Sequence, residues 1–294
     1  MRSRAPTCFL VWISGLACVV LPSVALAHDF WIEPSTFRPI EGAPFEVALR
    51  MGERTHGKPY PRVPDRIVRF ELVGPPARET RAEAVQGSAG WEPAGIARAE
   101  RPGLHSVVYL STPNTIELAA AEFDAYLAEK GLDAALAARA ALPEPRPRGR
   151  ERYVRCAKAL IAVEPRARHR DPQRRSQTPA VGATGAASGL PLELVADASP
   201  YAAALPGSLP IRLLYRGRPL AGALVVASPT NELAAAQSLR SDADGRVEIR
   251  LDRAGGWLVT ASHMVALHGD ATADWQSYWA SLTFEVPASS DLQH

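Results

Sequence analysis

Short runs that alternate apolar and polar residues, each stopped by glycine or proline, recur along most of this chain and restrict it to a mainly β architecture. FEVALR at 45–50, IVRFELV at 67–73 and LHSVVYL at 104–110 each present one apolar face, and Gly74-Pro75-Pro76 ends the second of them. After residue 189 the pattern returns more densely, in LPLELVAD, LPIRLLYRG, AGALVVASP, GRVEIRL, GGWLVTASHM and SLTFEVP. Asp242-Ala243-Asp244-Gly245 reads as a hairpin turn, since glycine accepts positive φ and aspartate caps the loop. Its acidic spacing lacks the remaining positions of a calcium loop.

Between these two β regions the period changes. TIELAAAEFDAYLAEK at 115–130 and the alanine-rich run to Leu142 repeat at helical spacing, interrupted at Gly131. Tyr153, Cys156, Ala157 and Leu160 fit a helical face too, although KALIAV at 158–163 reads equally well as a strand. Residues 165–189 carry arginine, serine and alanine with almost no large apolar group, so they offset little of their ordering entropy. The expected organisation is a signal peptide over 1–27, an N-terminal β domain over 28–112, a helical insertion over 113–164, a flexible linker over 165–189 and a C-terminal β-sandwich over 190–288. The fold class is mainly β, with two immunoglobulin-like sandwich domains flanking the insertion.

The leader decides how the rest is read. Arg2 and Arg4, an apolar stretch over 9–21, Pro22 and the triplet Ala25-Leu26-Ala27 have the order of an export signal cleaved before His28. Of 33 basic and 31 acidic residues, the leader takes two arginines and leaves 31 of each. A balanced surface gives no electrostatic field for nucleic acid, and no later segment is apolar enough to span a bilayer. Periplasmic localisation follows as the expectation. Cys8 and Cys18 leave with the leader, so Cys156 has no internal disulfide partner and is read as a small apolar core residue.

An exported chain beginning at His28 offers two nitrogens on one residue, the α-amine and the imidazole, which can close a chelate on Cu(II) or Ni(II). A second imidazole would complete a three-nitrogen site of the histidine-brace type. Histidine at the third mature position would make a different copper and nickel motif, but that position is Phe30. His263 is the expected partner, since it follows Trp257, Val259 and Ala261 on one face of its strand. Asp29, Glu33 and His105 are candidates for the remaining contact or for orienting a ligand, and His56 sits in a loop able to close over the site. A structural histidine bonded to Asp270 or Asp274 is the competing reading of His263. Trp31, Trp91, Trp257, Trp275 and Trp279 form a candidate carbohydrate platform, though tryptophans in small β domains commonly serve as core. No familiar hydrolase, zincin, phosphate-loop or Cys-x-x-Cys pattern occurs, and no catalytic residue is assigned.

HDFWIEPSTFRP, VPDRIVRFELVGP, FDAYLAEKGL, RYVRCAKALI, LYRGRPLAGALVV, DADGRVEIRLDRAGGWLVTASHM and DWQSYWASLTFEVP together resemble a bacterial family of unknown function. Its members are often labelled as periplasmic components of nickel or cobalt uptake. The C-terminal half also resembles collagen-adhesin B-type or transthyretin-like modules. The resemblance implies a periplasmic, largely β metal-binding accessory protein with nickel foremost, copper or cobalt behind it, and membrane transporter components as partners. It matches His28 and His263 to the family's mature start and strand end. The alternatives are an envelope adhesion or interaction module without metal, and a copper histidine-brace oxidase.

Overall fold

The computed structural model describes residues 28–53, 56–75, 82–166, 186–232 and 235–288. The leader expected over 1–27 and most of the expected linker lie outside them. The N-terminal half contributes β1 (Asp29–Pro34), β2 (Pro44–Glu53), β3 (His56–Tyr60), β4 (Ile67–Val73), β5 (Ala82–Ala84), β6 (Gly95–Arg98), β7 (Gly103–Ser111) and β8 (Asn114–Leu118). Two helices follow, α1 (Ala120–Glu129) and α2 (Asp133–Ala140), and then a long strand, β9 (Gly149–Val163). The C-terminal half adds β10 (Leu192–Ala196), β11 (Gly207–Tyr215), β12 (Arg218–Pro219), β13 (Leu224–Pro229), β14 (Gln237–Arg240), β15 (Arg246–Leu251), β16 (Gly255–Ala266) and β17 (Trp275–Val286).

The mainly β expectation holds, but the two halves share one sheet. Nine strands run in the order β14-β13-β16-β17-β9-β7-β4-β5, with β8 also on β9. Strands β17 and β9 join the halves as a parallel pair, from Trp275 opposite Glu151 to Thr283 opposite Ala159. Two four-stranded sheets cover this central sheet from opposite sides. One consists of β1, β2, β3 and β6, and the other of β10, β11, β12 and β15.

Strand β9 is therefore buried on both faces. Cys156, Leu160 and Ala162 join the core under the β10–β11 sheet, while Ala157, Ala159 and Ile161 join the core under the β1–β2 sheet. Double burial explains why KALIAV shows no alternation, since a strand covered on both faces reads as a continuous apolar run. The helical insertion expected over 113–164 is accordingly confined to α1 and α2. The Asp242–Gly245 segment does turn: Asp242 Oδ1 accepts from the Asp244 and Arg246 amides at 2.9 and 2.8 Å, and Gly245 has φ +73°. It carries the chain from β14 in the central sheet to β15 in the covering sheet, rather than closing a hairpin within one.

Helices α1 and α2 lie on the same side as β1. Phe123, Tyr126, Leu127 and Leu132 pack with Met264 and Trp275 of the central sheet. The Phe123 ring rests on the backbone of Gly149, where an added Cβ would stand 2.1 Å from it. Gly149→Ala forces that ring aside and should cost about 1–3 kcal/mol of stability. Urea unfolding of the purified variant checks this, and an unchanged midpoint would contradict the close approach.

Candidate metal centre

Strand β1 positions His28, the residue at which the exported chain is expected to begin. Phe30 and Ile32 face the central sheet and join its core, and the Ile32 carbonyl accepts a 2.7 Å hydrogen bond from Thr283 Oγ1. His28 lies two residues before Phe30 and shares its parity. Its Nδ1 is buried and has no hydrogen-bond partner among the described residues. Beside it, Asp29 meets Lys130 at 3.1 Å, and the Lys130 ammonium stands 6.0 Å from the Trp279 ring centroid. These contacts seat His28 and Asp29 near the end of α1.

Register carries the same row onward. Asp29 stands opposite Gly52, and Glu53 stands opposite His56. Continued by one residue, the β1–β2 register sets His28 opposite Glu53, so His28, Glu53 and His56 form a cross-strand row at one end of this sheet. Glu53 and His56 are exposed.

His263 does not join this row. Its strand alternates as expected, with Trp257, Val259 and Ala261 in the core under the β10–β11 sheet. The imidazole leaves on that same face and meets the Tyr215 ring of β11 at 4.4 Å. Strand β1 covers the opposite face, so the central sheet stands between His28 and His263. Burial and then the nearby Arg216 charge lower the pKa of His263, an environment that opposes a cation. Asp270 and Asp274 are engaged elsewhere, with Arg152 at 2.9 Å and Arg150 at 2.7 Å. Met264 turns to the helix side and is buried there.

The other candidates also lie apart. Glu33 pairs with Arg50 at 3.1 Å. His105 is buried with Nδ1 3.1 Å from the Gly103 carbonyl, and burial lowers its pKa. It sits four residues along β7 from Tyr109, about 13 Å of strand, and it is Tyr109 whose ring meets Phe30 at 4.9 Å. The Cys156 thiol is buried in the core and pushed up to about 12, which removes it as a thiolate ligand. Among the described residues, no three His, Cys, Asp or Glu side chains form a group able to hold a metal ion. A centre at His28 therefore requires the main-chain amine that leader cleavage would release. Trp31, Trp257 and Trp275 are buried and Trp279 stacks on Tyr126, which leaves Trp91 as the exposed member of the candidate platform.

Two groups that sequence reasoning did not single out stand on the same face of the sheet. Arg155 packs beneath β1, its Cζ 5.0 Å from the Phe30 centroid. Glu151 lies buried under α1, accepting from Tyr126 at 3.2 Å and from Ser277 Oγ, which itself accepts from Trp279 Nε1 at 3.0 Å. Burial raises the Glu151 pKa although these hydrogen bonds act the other way. A carboxyl with a raised folded-state pKa stabilises the fold below its unfolded value and loses that contribution as pH rises through the folded value. The protein should therefore be less stable at about pH 8 than at about pH 5 through this group, whose pKa is raised by burial, and Glu151→Gln should lose less between the two. Thermal unfolding at both pH values checks the difference; parallel losses in the two proteins would contradict it.

The helix-facing charges carried a signal. Glu151 and Arg155 share a strand face with Ala157, Ala159 and Ile161, so they are charges on an otherwise apolar stripe.

Comparison with known proteins adds a family and no activity. No curated protein matches this chain. Among solved structures, the D0-D1 domain of intimin is similar over 87% of this chain and 97% of that one, at 12% identity and a TM-score of 0.20, which is too low to bear on the fold. A family model described as a domain of unknown function (DUF4198) matches residues 25–265, and the chain belongs to that family.

Proposed function

We propose that this protein is an exported, periplasmic carrier for a divalent transition ion, nickel foremost with copper and cobalt behind it, serving membrane transporter components in metal uptake. Leader removal frees the α-amine of His28, and this amine and Nδ1 of the same residue close a six-membered chelate ring on the ion. His56, at the end of the same cross-strand row, supplies the second imidazole in place of His263, with Glu53 between them as an orienting group. Asp29 holds the chain start in place through Lys130.

The observation that supports this reading is the buried, unpartnered Nδ1 of His28. Leaving a buried polar nitrogen unsatisfied costs about 1–3 kcal/mol, and a metal ion bound there would offset that cost. Nδ1 is also the ring nitrogen that reaches an ion held by the amine of its own residue. An α-amine gives up its proton more readily than lysine, which favours ligation near neutral pH.

Elemental analysis of the leader-processed protein from the periplasm tests the proposal. Stoichiometric transition metal, lost in His28→Ala, is the expected result. A metal-free protein that also takes up no nickel on dialysis would reject it and leave an envelope interaction module. Oxygen consumption by the copper-loaded protein with a reductant would instead identify an oxidase.

A further inference from the structure

At one edge of the N-terminal half the two sheets end without fully meeting. Strand β5 is the last strand of the central sheet on this side, and among the described strands it pairs with β4 alone. Strand β6 pairs with β2 in the covering sheet. Beyond that it makes one bridge, at which Gln86 and Ile96 exchange backbone hydrogen bonds of 2.9 and 2.8 Å. The chain thus crosses from the central sheet at Ala84 to the covering sheet at Gln86, and the edge is closed there. Beside this crossing lies a cavity of about 520 Å³, lined by β5, by β6 and by Leu72 and Ala97 of the core. Its volume is in the range of pockets that hold ligands.

The backbone around this cavity specifies an extended chain. Along an antiparallel strand, successive residues turn their N–H and C=O groups to opposite edges, so Arg98 turns both toward the edge where Ile96 meets Gln86. No described residue bonds to either group of Arg98. On the other side, the Val85 amide donates to the Phe70 carbonyl at 2.9 Å, which sets Ala84 and Ala82 facing away from β4. The Ala84 carbonyl is met by Gln86 Nε2 at 2.9 Å, and the remaining groups of this edge find no partner among the described residues. Two short rows of unmade ladder bonds therefore border one hollow, and an added strand satisfies both.

The side chains specify its chemistry. Leu72 and Ala97 offer an apolar floor. Glu83 stands directly opposite Leu72, so its carboxylate leaves on the same face, toward the space between the sheets. It is exposed and meets no cation among the described residues. Residues two apart on a strand share a face, so one occupant reaches both the floor and Glu83.

We infer that this opening is a strand-addition site for an extended peptide. The peptide pairs with the edges of β5 and β6, lays one apolar side chain over Leu72 and Ala97, and two positions along directs a basic side chain at Glu83. The site involves neither His28 nor a metal ion.

The test is fluorescence anisotropy with the purified chain beginning at His28 and a labelled, end-blocked peptide, Thr-Val-Thr-Lys-Thr. Saturable binding with a sub-millimolar Kd is expected. Replacing the peptide lysine by glutamate should weaken binding by about fivefold or more. Methylating the valine and lysine amides, which removes ladder donors and leaves the side chains, should weaken it by at least about tenfold. Glu83→Lys should reverse the preference between the lysine and glutamate peptides. No saturable binding up to about 1 mM, equal affinities for the two charged peptides, or full affinity of the methylated peptide would overturn the proposal. A native protein that sediments as a dimer while Glu83→Lys is monomeric would give the groove to a second copy and overturn it too. Should Glu83→Lys fail to fold, the three peptides on the native protein decide by themselves.

Discussion

Glu193→Gln should lower the stability of this protein by about 3–5 kcal/mol, the usual cost of stranding one member of a buried ion pair. Lys158 and Glu193 lie between the central sheet and the β10–β11 sheet, with side chains 1% and 2% exposed and Nζ 2.7 Å from Oε1. Burial outweighs the Glu193 charge and lowers the Lys158 pKa, so the ammonium is already held at a cost. The carboxylate does further work at the start of the C-terminal half. Oε1 accepts from the Ser188 amide at 2.6 Å, and Oε2 accepts from Gly189 and Leu190 at 3.0 and 3.2 Å. Glutamine removes the counter-charge and turns an amide NH2 toward backbone donors. The expected fall in melting temperature is on the order of 10 °C for a chain of this size. Combining it with Lys158→Met should recover the part due to the stranded ammonium and leave the part due to the three amides. Urea unfolding of the two variants measures both, and a loss below about 1 kcal/mol for Glu193→Gln would mean that the pair is well solvated.

The second large effect concerns one added residue. Protein that retains Ala27 before His28 should bind nickel at least about 100-fold more weakly than the processed chain, because joining two donors on one residue typically multiplies affinity by 10²–10⁴. Acylation converts the terminal amine into an amide nitrogen with no available lone pair. The fold is untouched, since β1 begins at Asp29 and its core residues are Phe30 and Ile32. Equal unfolding midpoints and unequal nickel isotherms are therefore expected from the same pair of proteins. Equal isotherms would show that the terminal amine is no ligand.

Much of the strand content was legible because one-sided burial writes alternation into residues such as Phe45, Val47 and Leu49. Strand β9 was not, because its two faces serve two cores and the alternation disappears. The single sheet shared by the two halves was not legible for a related reason: the parallel β17–β9 pair joins residues more than a hundred positions apart, and local pattern says nothing about such pairings. At the candidate site, the leader marked His28, and the alternation of β16 gave the face from which His263 leaves. Which covering sheet lies over that face is a tertiary fact, and it is what separates the two histidines. Arg155 was visible as a charge among alanines and isoleucine on an inward stripe, but its lack of a carboxylate partner among the described residues could be known only from its neighbours.

The central claim is that the processed start of this chain is the metal ligand. A crystal structure of the leader-processed protein grown with nickel tests it most directly. The account expects nickel bound by the amine and Nδ1 of His28, with His263 unligated against Tyr215 on the far side of the central sheet. Nickel held at His263, or His28 free of metal at full nickel loading, would contradict it.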